Sequence, residues 1–342
     1  MKSRSLTIFY VFTCFLIIFT SILFCINFII KEKENKIEIK KAKEEKEVIE
    51  YKANQTIRVK FHETGEIIAM DINDYLRGVV PAEMSPSYNI EALKAQALVA
   101  RTYTYNKMEN FAEGEDADIC DNYAHCQAFY SKDKLFEIWK DKGYDDATIN
   151  EYWYKVNLAV VSTQNEVIMY DGKLIKAFFH ASSPCGTEDI SQIWGGESIP
   201  YLVSVESTEN EEYENRISQV KVTFEEFFYC LKENNEITSN IDLEDVKNCD
   251  IGEKTISNRV KNIKIGDEFV SAEKLRTILG LKSTNFSIQK NDEEIIFDVI
   301  GYGHGVGMSQ VGASTYADNG MDYMEIINHY YKGVEIIKLD DK

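Results

Sequence analysis

The sequence predicts an α+β protein, with mixed helices and a mostly antiparallel sheet forming a grooved ectodomain behind one N-terminal transmembrane helix. Three observations predict it. Residues 7–30 form an apolar run without a single charge. Period-two alternation, the mark of a half-buried strand, recurs in short scattered stretches such as Ile57, Val59 and Phe61. Helical spacing interleaves with those stretches, but without the regular βαβ alternation of a parallel sheet.

The apolar run, TIFYVFTCFLIIFTSILFCINFII, would make about 36 Å of helix at about 1.5 Å per residue, against a hydrocarbon core of about 30 Å. It is longer than the apolar core of a cleavable signal and stops at Lys31-Glu32-Lys33-Glu34 without a small-residue cleavage pattern. An uncleaved anchor is therefore expected: residues 1–6 a short cytoplasmic tail, 7–30 the span, 31–52 a charged stalk, and 53–342 the ectodomain. Lys2 and Arg4 precede the span while Lys31, Lys33 and Lys36 follow it, so charge bias orients it weakly. The default for such an anchor sets the expectation: a single-pass protein of the cell membrane, N-terminus inside, with an extracytoplasmic C-terminal domain.

In the ectodomain, strands are expected at Thr56–His62 and Ile67–Met70, joined as a hairpin. Asp71 then caps a short helix carrying Ile72, Tyr75, Leu76 and Val79, with Pro81 as its stop. Asn89 caps a second helix whose run ALKAQALVA suits close packing. Residues 111–127 read as acidic and turn-like, 147–165 as a helix, and Glu166–Tyr170 and Ile175–Phe179 as strands. The charged span 207–255 reads as a peripheral lobe whose charges form a solvated face. Alternation returns at Val260–Ile265 and Ile295–Val299 before a glycine-rich turn at 301–307.

Composition excludes some functions. A net charge of −19 disfavours nucleic acid and anionic lipid surfaces. The turn GYGHGVG is not a dinucleotide-binding GxGxxG. Of seven cysteines two lie in the span, and the odd, irregular remainder is no disulfide scaffold.

Four clusters carry chemistry: PAEM at 81–84, CDNYAHC at 120–126, FFHASSPCGTE at 178–188 with IWGG at 193–196, and GYGHGVGMSQVGA at 301–313. Taken singly, each has an ordinary structural explanation. Together with DYLRGVVPAEMSPSYNIEALKAQALVARTYTY and EIINHYYKGVEI, in this order along residues 56–337, they resemble the SpoIID/LytB family. The likeness is weaker between 208 and 255.

The resemblance implies a lytic transglycosylase that cleaves peptide-free glycan strands of peptidoglycan between N-acetylmuramic acid and N-acetylglucosamine, leaving 1,6-anhydro ends, during engulfment in sporulation. It implies Glu83 as the catalytic residue, and a sporulation amidase/endopeptidase (protein P) and a membrane protein M as partners. His180, Ser182, Ser183, Trp194, His304, Ser309 and Gln310 are expected to line the glycan groove, since hydrogen bonding beside an aromatic surface suits a sugar. Cys120 and Cys126 are zinc ligands, a disulfide or buried thiols. In zinc-binding relatives a histidine six residues before the first cysteine is the third ligand; here Gly114 stands there, leaving His125 or Cys185 to substitute. No cofactor is required by the proposed chemistry.

In the chemistry that the resemblance implies, one carboxyl is enough because the sugar's own C6 hydroxyl would attack C1, replacing the second carboxylate of ordinary glycosidases. The rival readings are a non-catalytic, glycan-binding modifier of a cell-wall amidase, and a cysteine hydrolase pairing Cys126 or Cys185 with His180 or His304.

Overall fold

The computed structural model describes residues 55–109, 116–123, 125–210, 213 and 216–339. The expected tail, anchor and stalk lie outside them. Among the described residues no helix is long and apolar enough to cross a membrane.

Alternation sets the first sheet. Ile57 and Val59 point inward from β1 (Thr56–Lys60), which pairs antiparallel with β2 (Ile67–Asp71) from Thr56↔Asp71 to Lys60↔Ile67. The Asp71 side chain accepts from the Asn73 N–H and caps α1 (Ile72–Glu83). Asn89 accepts from the Glu91 N–H in the same way at the start of α2 (Ile90–Glu109). The alanine-rich face of α2 is fully buried and packs against α1, so the small side chains let the two backbones approach closely. The third strand of this sheet, β3 (Ile119–Cys120), lies parallel to β1.

A helical hairpin follows. The expected helix near 147–165 is α4 (Asp146–Ser162), with Thr163 as its C-cap and Asn165 at a positive φ of 62° in the turn that follows. It pairs with α3 (Lys132–Asp141), which the sequence did not suggest because its apolar stripe is embedded among lysines and acids. Leu135 and Trp139 on that stripe bury against Ile149 in a small core of their own.

β4 (Glu166–Tyr170) and β5 (Lys173–Leu174) form a tight hairpin. The strand expected at Ile175–Phe179 does not form. Ile175 and Ala177 are buried, but a Phe178 N–H to Lys176 carbonyl bond turns the chain, and only Phe179 extends, into β6 (Phe179–His180). A short α5 (Ile190–Trp194) ends at Gly195 and Gly196, both with positive φ.

The lobe expected at 207–255 is larger in the structure, because its opening strand finds its partner some seventy residues later. β7 (Ile217–Thr223) pairs antiparallel with β12 (Glu294–Ile300), which also pairs with β11 (Phe286–Lys290). Between them lie α6 (Phe224–Glu233), α7 (Leu243–Lys247), the β8 (Asp250–Ile251), β9 (Asn262–Ile265), β10 (Glu268–Ser271) sheet, and α8 (Ala272–Leu279). Phe224, Phe227, Ile263, Leu275, Phe286 and Phe297 form its separate core.

The chain then returns. β13 (Met308–Ser309) runs parallel to β6, Ser309 caps α9 (Gln310–Asp318), and α10 (Tyr323–Tyr330) leads into β14 (Glu335–Lys338), which completes the β4–β5 sheet. α9 and α10 pack on α2, the centre of the main core. Most strand pairs are antiparallel, in an α+β arrangement.

Candidate active site

Glu83 is the last residue of α1 and is not on a separate connection, as the position of Pro81 had suggested. Pro81 has no N–H, yet the helix continues past it because the Met84 N–H still bonds the Val80 carbonyl. The carboxyl therefore belongs to a residue at the helix end, partly exposed, with the buried Val79, Val80 and Met84 as its neighbours in the chain.

The carboxyl meets the segment after the cysteine loop. The Ala128 N–H donates to Glu83 Oε1 at 2.6 Å. Phe129 stacks on Tyr75 of α1 (5.5 Å, 7°), and the Tyr130 N–H reaches the Gly78 carbonyl at 3.3 Å. Desolvation raises the Glu83 carboxyl from 4.5 to about 7, outweighing the Ala128 N–H, which favours the ionised form.

That shift has a consequence for stability. Between 4.5 and about 7 the folded chain holds a proton that the unfolded chain releases. The carboxyl's favourable contribution is thus full below 4.5 and lost as pH rises through about 7. A Glu83→Gln variant cannot ionise, so its stability relative to the wild type should rise between pH 5 and pH 8, by on the order of 2 kcal/mol in urea unfolding. A constant difference over that range would mean the carboxyl is not desolvated.

In the loop leading to Ala128, Cys120 Sγ and Cys126 Sγ each lie 3.3 Å from His125 Nδ1, and the three donor atoms fall within 4.8 Å of one another. Both cysteines are free thiols. Burial, first of all, pushes Cys126 up to about 12. Cys185 is exposed and does not join this group, and Gly114 lies outside the described residues. Soft sulfur with imidazole is a zinc donor set, and bonds of about 2.3 Å to sulfur and 2.0 Å to nitrogen would span such separations with one position left open.

The remaining expected residues gather around β6 and β13. Trp194 is 48% exposed and His304 partly exposed, whereas Ser182, Ser183, Ser309, His180 and Gln310 are all buried. Their polar groups are taken up inside the fold, His180 by Ser183 and the Val306 carbonyl, Ser182 and Ser309 by Glu209, and Gln310 by Gln96. His180 Nδ1 lies 3.2 Å from the Val306 carbonyl, which can only accept, so Nε2 of the neutral ring accepts from Ser183 Oγ at 2.5 Å. Gln310 donates to Gln96 of α2 at 3.3 Å.

Trp194 meets His304 at 5.0 Å and Phe178 at 5.1 Å, and His304 meets His180 at 5.5 Å. Burial first, then Arg276 and Arg259, lowers His304 to about 3, so the imidazole stays neutral. A partly exposed indole beside a neutral imidazole is a surface on which a sugar face can stack.

Two residues at this centre have no motif to announce them. Glu209, read from composition as part of a solvated face, is buried. It accepts from Ser182 Oγ and the Ser183 N–H at 2.5 Å, and from Ser309 Oγ at 2.6 Å. The Tyr88 hydroxyl, five residues past Glu83, is raised to about 12, first by burial and then by Tyr213 and Glu209. The other residue, Arg259, belongs to the lobe and is 2% exposed. Its only sequence signal is an arginine in a chain whose basic residues are mostly lysine. Neither Cys126 nor Cys185 bonds His180 or His304 among the described residues; the histidine that Cys126 meets is His125.

The profile of the stage II sporulation protein family SpoIID matches residues 60–170. Stage II sporulation protein D of Bacillus amyloliquefaciens is 31% identical over 79% of this chain and 75% of its own length. The same protein of Bacillus subtilis is 30% identical over the same shares. The amidase enhancer of Bacillus subtilis is 26% identical over 76% of this chain but 40% of its own length. With relatives named stage II sporulation protein D at 30–31% identity over three quarters of their own length, the chain belongs to the SpoIID family of stage II sporulation proteins.

Proposed function

We propose that this protein is a lytic transglycosylase of peptide-free peptidoglycan strands, with Glu83 as its single general acid and base, acting in engulfment during sporulation. The observation that carries the reading is the partly exposed Glu83 carboxyl, raised to about 7 by desolvation and held by one backbone N–H. Near neutral pH such a group is populated in both states. Protonated, it gives its proton to the glycosidic oxygen as the C1–O bond breaks. Ionised, it takes the proton of the C6 hydroxyl as that oxygen bonds C1, and the enzyme returns to its starting state. Trp194 and His304 contact the sugar, and the buried His180, Ser182, Ser183, Ser309 and Gln310 hold that surface in place.

Cys120, Cys126 and His125 are the residues that would hold zinc, and the ion would cross-link the loop leading to Ala128. The full-length protein purified without added metal should then carry close to one zinc per chain by elemental analysis, and lose thermal stability in chelator. A metal-free protein that melts at the same temperature would discard the site. The partners proposed are a sporulation amidase/endopeptidase (protein P) and a membrane protein M, reached from a membrane anchor at residues 7–30.

Peptide-free glycan strands incubated with the protein should give 1,6-anhydro-muramic products, lighter by one water than hydrolysis products in the mass spectrum. The relative named an amidase enhancer favours a second reading, a glycan-binding modifier of an amidase. Binding of the strands with no anhydro product would select it.

A further inference from the structure

The lobe reaches the sugar-facing surface through one side chain. Arg259 lies in the segment 254–259, which docks on the main body: the Thr255 hydroxyl and the Ser257 N–H donate to the Glu188 carboxylate, and Ser257 Oγ donates to the Thr187 carbonyl. From there the Arg259 guanidinium extends beneath the glycine turn. It donates to Ser183 Oγ and to the Gly303 carbonyl, both at 3.1 Å. On the far side of His304, a Cβ placed on Gly305 would stand 2.5 Å from the guanidinium carbon. The arginine thus touches the backbone on both sides of His304.

The contacts continue outward. Ser183 bonds His180, and His180 bonds the Val306 carbonyl, while the Val306 N–H donates to His304 Nδ1 at 3.1 Å. His304 in turn packs on Trp194. A planar fork with several fixed donors suits this geometry, since it can hold a hydroxyl and a carbonyl at once. Its bonded partners here are neutral, so the guanidinium is used for its shape more than for an ion pair.

We propose that Arg259 is a positioning residue: it fixes the glycine turn so that His304 and Trp194 present a preformed platform for the glycan, and delivering it is a function of the lobe. This rests on the glycan reading above.

The test uses the full-length protein. In the Glu83→Gln background, where strands bind without turnover, Arg259→Met should weaken binding of peptide-free glycan strands roughly tenfold, and Arg259→Lys by less. In the active protein KM should rise by a similar factor with kcat nearly unchanged. A merely structural loss would lower the active fraction and hence kcat, leaving KM alone. Guanidinium ion at millimolar concentration should restore part of the binding to Arg259→Met.

A second readout is independent of glycan: the imidazole nitrogen resonances of His304, assigned with a His304→Gln variant, should shift in Arg259→Lys. If the Glu83→Gln protein fails to bind strands, the glycan reading falls, while the resonances still decide whether Arg259 fixes His304. Unchanged His304 resonances together with unchanged glycan affinity in Arg259→Lys would overturn the proposal. Should Arg259→Met fail to fold, the lysine variant and Ser183→Ala, which removes the relay to His180, give the same readouts.

Discussion

Glu83→Gln is expected to lower the rate of anhydro-product formation from peptide-free strands by about 10²–10⁴-fold, the usual worth of a positioned proton-transfer group. The substitution is nearly isosteric. The glutamine carbonyl can still accept the Ala128 N–H that Glu83 Oε1 accepts at 2.6 Å, so helix end and loop keep their contact. What disappears is the proton. The substituted amide can neither give one to the leaving oxygen nor take one from the C6 hydroxyl, and no other carboxyl is assigned to do so. The wild-type pH profile should carry the same signature. With the carboxyl at about 7, kcat/KM falls as pH rises above that value because the general acid is lost. A folded Glu83→Gln protein as fast as wild type, or a kcat/KM flat between pH 6 and pH 9, would refute the assignment.

Gly307→Ala should be the most damaging single-methyl change in the glycine turn. Gly307 has φ +72°, and a Cβ there would stand 2.0 Å from the Phe178 carbonyl oxygen. That oxygen belongs to the backbone and is itself bonded by the Met308 N–H and the Tyr331 hydroxyl. No flexible side chain can give way, so β13 would have to leave β6. Positive-φ strain and steric overlap together should cost about 3 kcal/mol or more in urea unfolding. Gly320→Ala supplies the comparison. It also has positive φ, but nothing lies within 4 Å of its Cβ position, so it should cost about 1 kcal/mol. Equal losses at the two positions would show that the clash at Gly307 is relieved by some movement of the turn.

Where local physics dominates, the sequence was legible. Asp71 and Asn89 cap the helices they were expected to cap, because an Asx side chain satisfies helix N–H groups within three residues. β1 follows its alternation, and β2 and β4 form where strands were expected. The errors have specific causes. Pro81 was read as a stop, although a proline near the end of a helix costs only one bond. The Ile175–Phe179 run is apolar because it is buried, not because it pairs. The helix Lys132–Asp141 was hidden by its charges.

For the candidate site the division is similar. The motifs named Glu83, the cysteine loop and the histidine and tryptophan of the aromatic surface. They did not reveal that five of the expected groove residues are buried, nor that Glu209 and Arg259 bond to members of that set.

By itself, then, the sequence determined which residues carry acid, thiol, imidazole and indole groups, which local segments coil or extend, and which family the chain joins. Tertiary structure alone decided the proton affinity of Glu83, since desolvation depends on side chains far apart in the chain. It also decided the partners of Glu209 and the reach of Arg259 across more than forty residues to the glycine turn. Charge and hydrogen bonding act through space, and spatial neighbours are set by packing that no local pattern encodes.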